Sequence, residues 1–168
     1  MNETIVTGRF YPEFYPSFPG EPLRDRFQIV TTENEGEGII SLASFRKDET
    51  VFRFAGILLD DITLFTLQLR AGRHLHDPFF MGKVLHSCEP NMICDIDARA
   101  FYAVRDIQRG EFLTMDYETT EDVLYRPFDC HCGSVHCKKF IVGRQVRMNS
   151  IHTSIGEIAA ESQLLKVP

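Results

Sequence analysis

Three thiols fall within eight residues in Cys130-His131-Cys132-Gly133-Ser134-Val135-His136-Cys137. Cysteines spaced C-x-C bridge poorly, because disulfide geometry is restrictive, and Gly133 lets the chain fold back between them. Such spacing belongs to metal ligands. Zinc asks for four sulfur or nitrogen ligands in a tetrahedron, so one more must come from Cys88, Cys94, His131 or His136. Clustered structural cysteines without metal are the plainer alternative, and the tightness of the spacing weighs against it.

Three other segments carry polar chemistry. Leu85-His86-Ser87-Cys88-Glu89-Pro90-Asn91 is a small polar turn in an apolar region. It sets a histidine near a thiol, but residues this close in sequence rarely face each other productively, and no third group orients the pair, which argues against a cysteine nucleophile. Gly36-Glu37-Gly38 precedes Ile39-Ile40. It either brings backbone close to a ligand or turns a hairpin. The run from Arg105 to Tyr117 ends in an Asp116-Tyr117 pair after a strand, which on its own is a turn followed by a strand-end tyrosine.

The elements that must position these residues are mostly short strands. Segments rich in β-branched and aromatic residues recur between turn signals at 27–31, 38–42, 51–57, 62–69, 100–105 and 112–115, which predicts a mainly antiparallel β fold. From Phe10 to Pro22, four prolines alternate with Phe10, Tyr11, Phe14, Tyr15 and Phe18. Proline this dense forbids helix, so the segment is an extended arm whose rings need a surface, either its own domain or a partner. Near the C-terminus, Ser154 and Glu157 form a capping-box pattern ahead of Ile155, Ile158, Ala159, Ser162 and Leu165, which predicts a short helix.

Length and composition bound the function. A chain of 168 residues suits one domain. Hydrophobic residues at 43% and charged residues at 25% sit near the globular average, which excludes a disordered tail. No apolar run reaches the roughly 18 residues of a spanning helix. Residues 1–10 lack the basic start and apolar stretch of a signal peptide, which predicts an intracellular location, cytoplasmic, or nuclear in a eukaryote. A net charge of −6 argues against direct nucleic-acid binding and favours a cationic partner.

Taken in order, these motifs resemble the SET domain of protein lysine methyltransferases, followed by a cysteine-rich post-SET element. Gly36-Glu37-Gly38 resembles the family's G-x-G, His86 to Asn91 its N-H-S-C-x-P-N, Gly110 to Tyr117 its G-E-E-L-T-x-D-Y, and Cys130 to Cys137 its C-x-C-x4-C. The resemblance implies small β-sheets around a knot-like crossing, with short helices and a C-terminal post-SET zinc motif. It divides the chain into an arm (1–25), a SET domain (26–125), a post-SET element (126–143) and a tail with a short helix (144–168). It implies S-adenosylmethionine held by Gly36, Glu37, Gly38, Leu85, His86, Tyr117 and Phe128. It further implies a substrate channel with Phe54, Tyr102 and Met115, Tyr117 as the catalytic residue, and one structural zinc on Cys88, Cys130, Cys132 and Cys137. Cys94 is then left as a strand residue.

The implied activity is methyl transfer to the ε-amine of a lysine in a basic protein or peptide, histone or not, without a membrane. In-line displacement at a sulfonium needs an aligned, deprotonated amine, and a narrow dry channel disfavours the ammonium form. Several positions depart from the family pattern. Leu85 replaces an asparagine, Phe54-Ala55-Gly56-Ile57 replaces Y-x-G-E, Lys139 stands at a usual glycine, and Met115 stands where phenylalanine or tyrosine sets product degree. The thioether of Met115 offers no hydroxyl to anchor a water, which predicts that more than one methyl is added. Two further readings stand beside it: methylation of a small-molecule amine, suggested by the compactness of the chain, and a catalytically silent SET domain acting as a binding module, suggested by the Leu85 and Phe54 substitutions.

Overall fold

The structure, a computed structural model, describes residues 8–151. In chain order the strands are β1 (Phe27–Thr31), β2 (Glu37–Ser41), β3 (Thr50–Arg53), β4 (Ile57–Leu59), β5 (Thr66–Arg70), β6 (Arg73–His76), β7 (Leu85–His86), β8 (Met92–Asp95), β9 (Ala100–Ala103), β10 (Thr114–Met115), β11 (Phe128–Asp129) and β12 (Phe140–Ile141). Single 3-10 turns lie at Met81–Lys83 and Tyr117–Thr119. One helix, α1, covers 144–151. The fold is therefore mainly β, as the alternation of short β-rich segments and turns implies.

Among the described residues the strands form small separate sheets: β1-β2, β3-β9-β8, β4-β6-β5, β7-β10 and β11-β12. All pair antiparallel except β7 and β10, which run parallel. A parallel pair cannot be closed by a hairpin, so the chain must travel from residue 86 to residue 114 and return beside its own track. That return makes the crossing, where β10 lies beside β7.

The core is built largely from phenylalanine. Phe27, Phe45, Phe52, Phe80 and Phe101 are buried and touch in sequence: Phe27 stacks on Phe45 at 5.9 Å, while Phe52 lies 4.9 Å from Phe80 and 4.8 Å from Phe101. Ring pairs at these separations stabilise beyond their buried area, which lets sheets of two or three strands share one core. Ile39, Leu67, Leu75, Ile107 and Leu113 fill the spaces between them.

The aromatic arm lies on its own domain. Phe10 packs on Phe80 at 4.7 Å, and the buried Tyr11 hydroxyl donates to Asp77 at 2.6 Å. Asp77 also accepts the amides of Phe79, Phe80 and Met81, so a fully buried carboxyl ties the arm to the turn that leads into β7. Burial pushes both Asp77 and Tyr11 above their usual pKa ranges. Arg9 pairs with Glu21 at 2.8 Å and closes the arm into a loop.

The 51–57 segment is not one strand but two, β3 and β4, separated at Phe54 to Gly56. Strands β6, β7, β8, β11 and β12 lie outside the segments read from the sequence. The Ser154 to Leu165 helix pattern lies outside the described residues, and α1 begins ten residues earlier, at 144. It starts after Gly143, whose φ is 99° and whose missing Cβ would stand 2.6 Å from the Asp122 carbonyl oxygen, so only glycine fits there.

Candidate functional site: the crossing and the sulfur cluster

The crossing is held by hydrogen bonds from both strands. In β7-β10, Thr114 faces Leu85 and Met115 faces His86. Leu85 donates to the Leu113 carbonyl at 3.3 Å, and Ser87 to the Met115 carbonyl at 3.0 Å. Asn91, 1% exposed, clasps the crossing: its amide donates to the Phe112 carbonyl at 2.8 Å, and its side-chain oxygen accepts from the Thr114 amide at 2.9 Å. Asn91 lies in a quoted motif, but only the pairing reveals its part.

The clasp delivers Tyr117 to His86. The Tyr117 amide donates to His86 Nδ1 at 3.2 Å, and the Tyr117 hydroxyl donates to the Val84 carbonyl at 2.7 Å. The two rings lie 5.2 Å apart, and Phe128 closes a triangle at 5.7 Å from His86 and 6.0 Å from Tyr117. Because Nδ1 accepts, the imidazole proton sits on Nε2, which lies 3.4 Å from Cys88 Sγ and donates to sulfur. Burial lowers the His86 pKa to about 4, so the ring is neutral. Burial, together with the charges of Glu35 and Glu121, raises the Tyr117 phenol well above its usual value. Tyr117 is therefore a protonated donor at neutral pH, and not a base.

The cofactor residues expected from sequence gather along this face. Gly38 lies against Leu85 and Phe112, where a Cβ would approach Leu85 Cδ1 to 2.8 Å. Gly36, at φ 77°, turns the chain ahead of β2, and its carbonyl accepts from the Thr32 amide at 2.7 Å and the Thr32 hydroxyl at 2.9 Å. Glu37 pairs with Lys83, in the turn before β7. Gly38, Leu85, His86, Tyr117 and Phe128 thus occupy linked elements, with Gly36 and Glu37 at the start of β2, and the aromatic triangle fits a sulfonium cation.

The substrate-channel residues are placed differently. Met115 is buried in the core and pairs with His86 in the sheet register. Phe54 is buried against Phe101 at 5.5 Å and borders a cavity of about 630 Å³ that it shares with Tyr15, Phe18, Arg53 and Arg99. Tyr102, half-buried, alternates with Phe101 along β9 and so lies on the opposite face from Phe54. The Val84 carbonyl was not legible as a site group, because a backbone oxygen leaves no residue-type signal.

The sulfurs of Cys88, Cys130, Cys132 and Cys137 all lie within 4.8 Å of one another. Cys88 and Cys130 are 3.9 Å apart, close to the roughly 3.8 Å edge of a tetrahedron with zinc–sulfur bonds near 2.3 Å. Burial pushes Cys88 and Cys130 upward. It acts upward on Cys132 too, but donors from the backbone and from neighbouring thiols outweigh it and bring that thiol to about 6. Four sulfurs so close form a donor set that fits zinc, which would hold them as thiolates with no position left for water. Cys94 sits apart on β8, its pKa raised to about 12 by burial.

The structure thus brings the four sulfurs, His86 and the partly buried Tyr117 to one parallel strand pair. Residues 36–118 match the family model described as SET domain, and the chain is a SET-domain protein. It is 28% identical over 138 residues to histone-lysine N-methyltransferase ASHH3 of Arabidopsis thaliana, covering 68% of this chain and 38% of that one. It is 33% identical over 141 residues to histone-lysine N-methyltransferase EHMT1 of Mus musculus, covering 69% and 11%. The chain thus spans well under half the length of either relative. Among solved structures it resembles KRYPTONITE in complex with mCHH DNA, an H3(1-15) peptide and SAH, with a TM-score of 0.57 at 20% identity over 68% of this chain and 29% of that one. Among the described residues no helix is long and apolar enough to cross a membrane.

Proposed function

We propose that this chain is an S-adenosylmethionine-dependent methyltransferase acting on the ε-amine of a lysine in a protein or peptide. The carrying observation is Tyr117, whose protonated hydroxyl lies 2.7 Å from the Val84 carbonyl while its ring packs on His86 and Phe128. S-adenosylmethionine supplies an activated methyl on a sulfonium. The chain supplies the alignment. With its one proton donated to the Val84 carbonyl, Tyr117 Oη presents a lone pair beside that carbonyl oxygen. Two acceptors at one point can take the N–H groups of an incoming neutral amine and leave its lone pair free to attack. The aromatic triangle excludes water, and burial disfavours the ammonium form of a lysine that enters. Phe128 stands at the start of the metal-clamped segment, so Cys88, Cys130, Cys132 and Cys137 would hold zinc to keep that ring over the site.

The names of the relatives support a protein substrate, and the histone peptide bound to KRYPTONITE supports a basic one. The DNA in that complex belongs to KRYPTONITE, and a net charge of −6 favours a cationic peptide over a polyanion. An intracellular setting, where thiols stay reduced and available to metal, suits the cysteine cluster. The test is transfer of radiolabelled methyl to histone H3 peptides, cell lysate and free amines. Transfer to peptide lysine, lost in Tyr117→Phe, is the expected result. Transfer to free amines alone would replace the protein substrate with a small molecule, and the absence of both transfer and cofactor binding would make the domain a silent binding module.

A further inference from the structure

The residue after the last cluster cysteine reaches both the sulfurs and the tyrosine turn. The Lys138 amide donates to Cys88 Sγ at 3.3 Å. Its ammonium reaches Asp116 Oδ2 at 2.6 Å and Glu118 Oε2 at 3.0 Å. Asp116 caps the 3-10 turn Tyr117–Thr119: its side chain accepts the Glu118 amide, and its carbonyl accepts the Thr119 amide at 3.0 Å. Tyr117 is thus flanked on both sides by carboxylates that share one ammonium. These carboxylates are shielded, with side chains 14% and 5% exposed, so the pairs are screened less than surface pairs.

We propose that Lys138 is the positioning residue through which the four-cysteine metal cluster fixes the turn carrying Tyr117. The amide reads the place of one metal ligand and the ammonium sets the place of the turn, so the cluster acts on Tyr117 as well as on the segment bearing Phe128. Arg147 does not replace it: that guanidinium reaches Glu118 from α1, at 2.7 Å from the same Oε2 and 2.9 Å from Oε1, whereas the Lys138 ammonium also holds Asp116. Lys138 needs no contact with substrate or cofactor for this role. The inference rests on the proposed role of Tyr117 in methyl transfer.

The test compares Lys138→Met and Lys138→Arg for zinc content, cofactor affinity, kcat and KM, and for the 19F signal of fluorotyrosine at position 117, assigned with Tyr117→Phe. Lys138→Met should keep one zinc per chain and an S-adenosylmethionine Kd within about twofold, while kcat falls about tenfold at constant KM. Lys138→Arg should recover kcat to within about threefold. In zinc-loaded Lys138→Met, the Tyr117 signal should move toward its position in zinc-free wild type. Asp116→Asn cuts the bridge from the far end and should move the signal the same way, with no further change in the double variant. This second variant carries the test if Lys138→Met loses metal. A Tyr117 signal at the wild-type position in the zinc-loaded variants, additive shifts, or a kcat that falls only in proportion to zinc would overturn the proposal. If wild type methylates no acceptor, the functional reading fails, while the zinc and 19F measurements still decide the coupling.

Discussion

Glu121 follows Tyr117 by four residues and is 7% exposed, with Gln68 N–H at 2.9 Å and the Thr120 hydroxyl at 3.0 Å as its donors. Burial outweighs these bonds and raises its pKa to about 7, with Asp122 adding to the rise and Arg144 opposing it. A carboxyl whose folded pKa is raised contributes stability at acid pH that is lost as pH climbs through the folded value. The Glu121 contribution to unfolding free energy should therefore fall between about pH 5 and 7, against an opposite contribution from His86, whose lowered pKa gains stability as pH rises. Glu121→Gln should change the difference between the two pH values by on the order of 2 kcal/mol in urea titrations. Equal slopes in both proteins would refute this. Lys139 gives a second residue-level prediction. Its φ is 67°, a region where a side chain costs about 1–2 kcal/mol, and it occupies a position the motif resemblance gives to glycine. Lys139→Gly should raise stability by about 0.5–1 kcal/mol after the added chain entropy of glycine is deducted, measured as a shift in the urea midpoint.

At the scale of elements, the crossing depends on strands too short to persist alone. β7 and β10 have two residues each, and their partner groups outside the ladder are met by Asn91. Asn91→Ala would leave the part-buried Phe112 carbonyl and Thr114 amide without those partners. It should destabilise the domain by about 2–3 kcal/mol and lower cofactor affinity through displacement of Leu85 and His86. Thermal unfolding and cofactor titration check both parts, and a loss of affinity without loss of stability would refute the clasp. The same shortness explains what the sequence disclosed. β1 runs from Phe27 to Thr31, where alternation and β-branching announce it, and β2 lies one residue from its expected place. β6 reads Arg-His-Leu-His, which has little β propensity, and it exists because it pairs on both sides with β4 and β5. The cysteine spacing announced a metal by itself. The joining of His86 to Tyr117 came from family resemblance, and the parts of Val84, Lys138 and Gln68 had no local signal because contacts distant in sequence create them.

At the scale of the whole molecule, the sulfur cluster joins two regions that are otherwise linked by the Phe128 ring contacts and by the ion pairs of Lys138 and Arg147. Cys88 belongs to the crossing, whereas Cys130, Cys132 and Cys137 belong to the segment between β11 and β12. β11 and β12 pair only with each other, and the loop between them has no buried aromatic core of its own. Metal affinity must therefore supply much of the order from 128 to 141, while the phenylalanine core stands independently beneath it. Chelation should lower the unfolding temperature by about 10 °C and abolish cofactor binding by freeing Phe128. Hydrogen exchange should then show loss of protection concentrated in residues 128–147, with β1-β2 and β3-β9-β8 still protected. The ion pairs Lys138 to Asp116 and Arg147 to Glu118 set how far the loss spreads, because they carry it to the Tyr117 turn and to α1. Uniform loss across all sheets would mean that the metal supports the core itself, and unchanged exchange in 128–147 would mean that the cluster orders nothing.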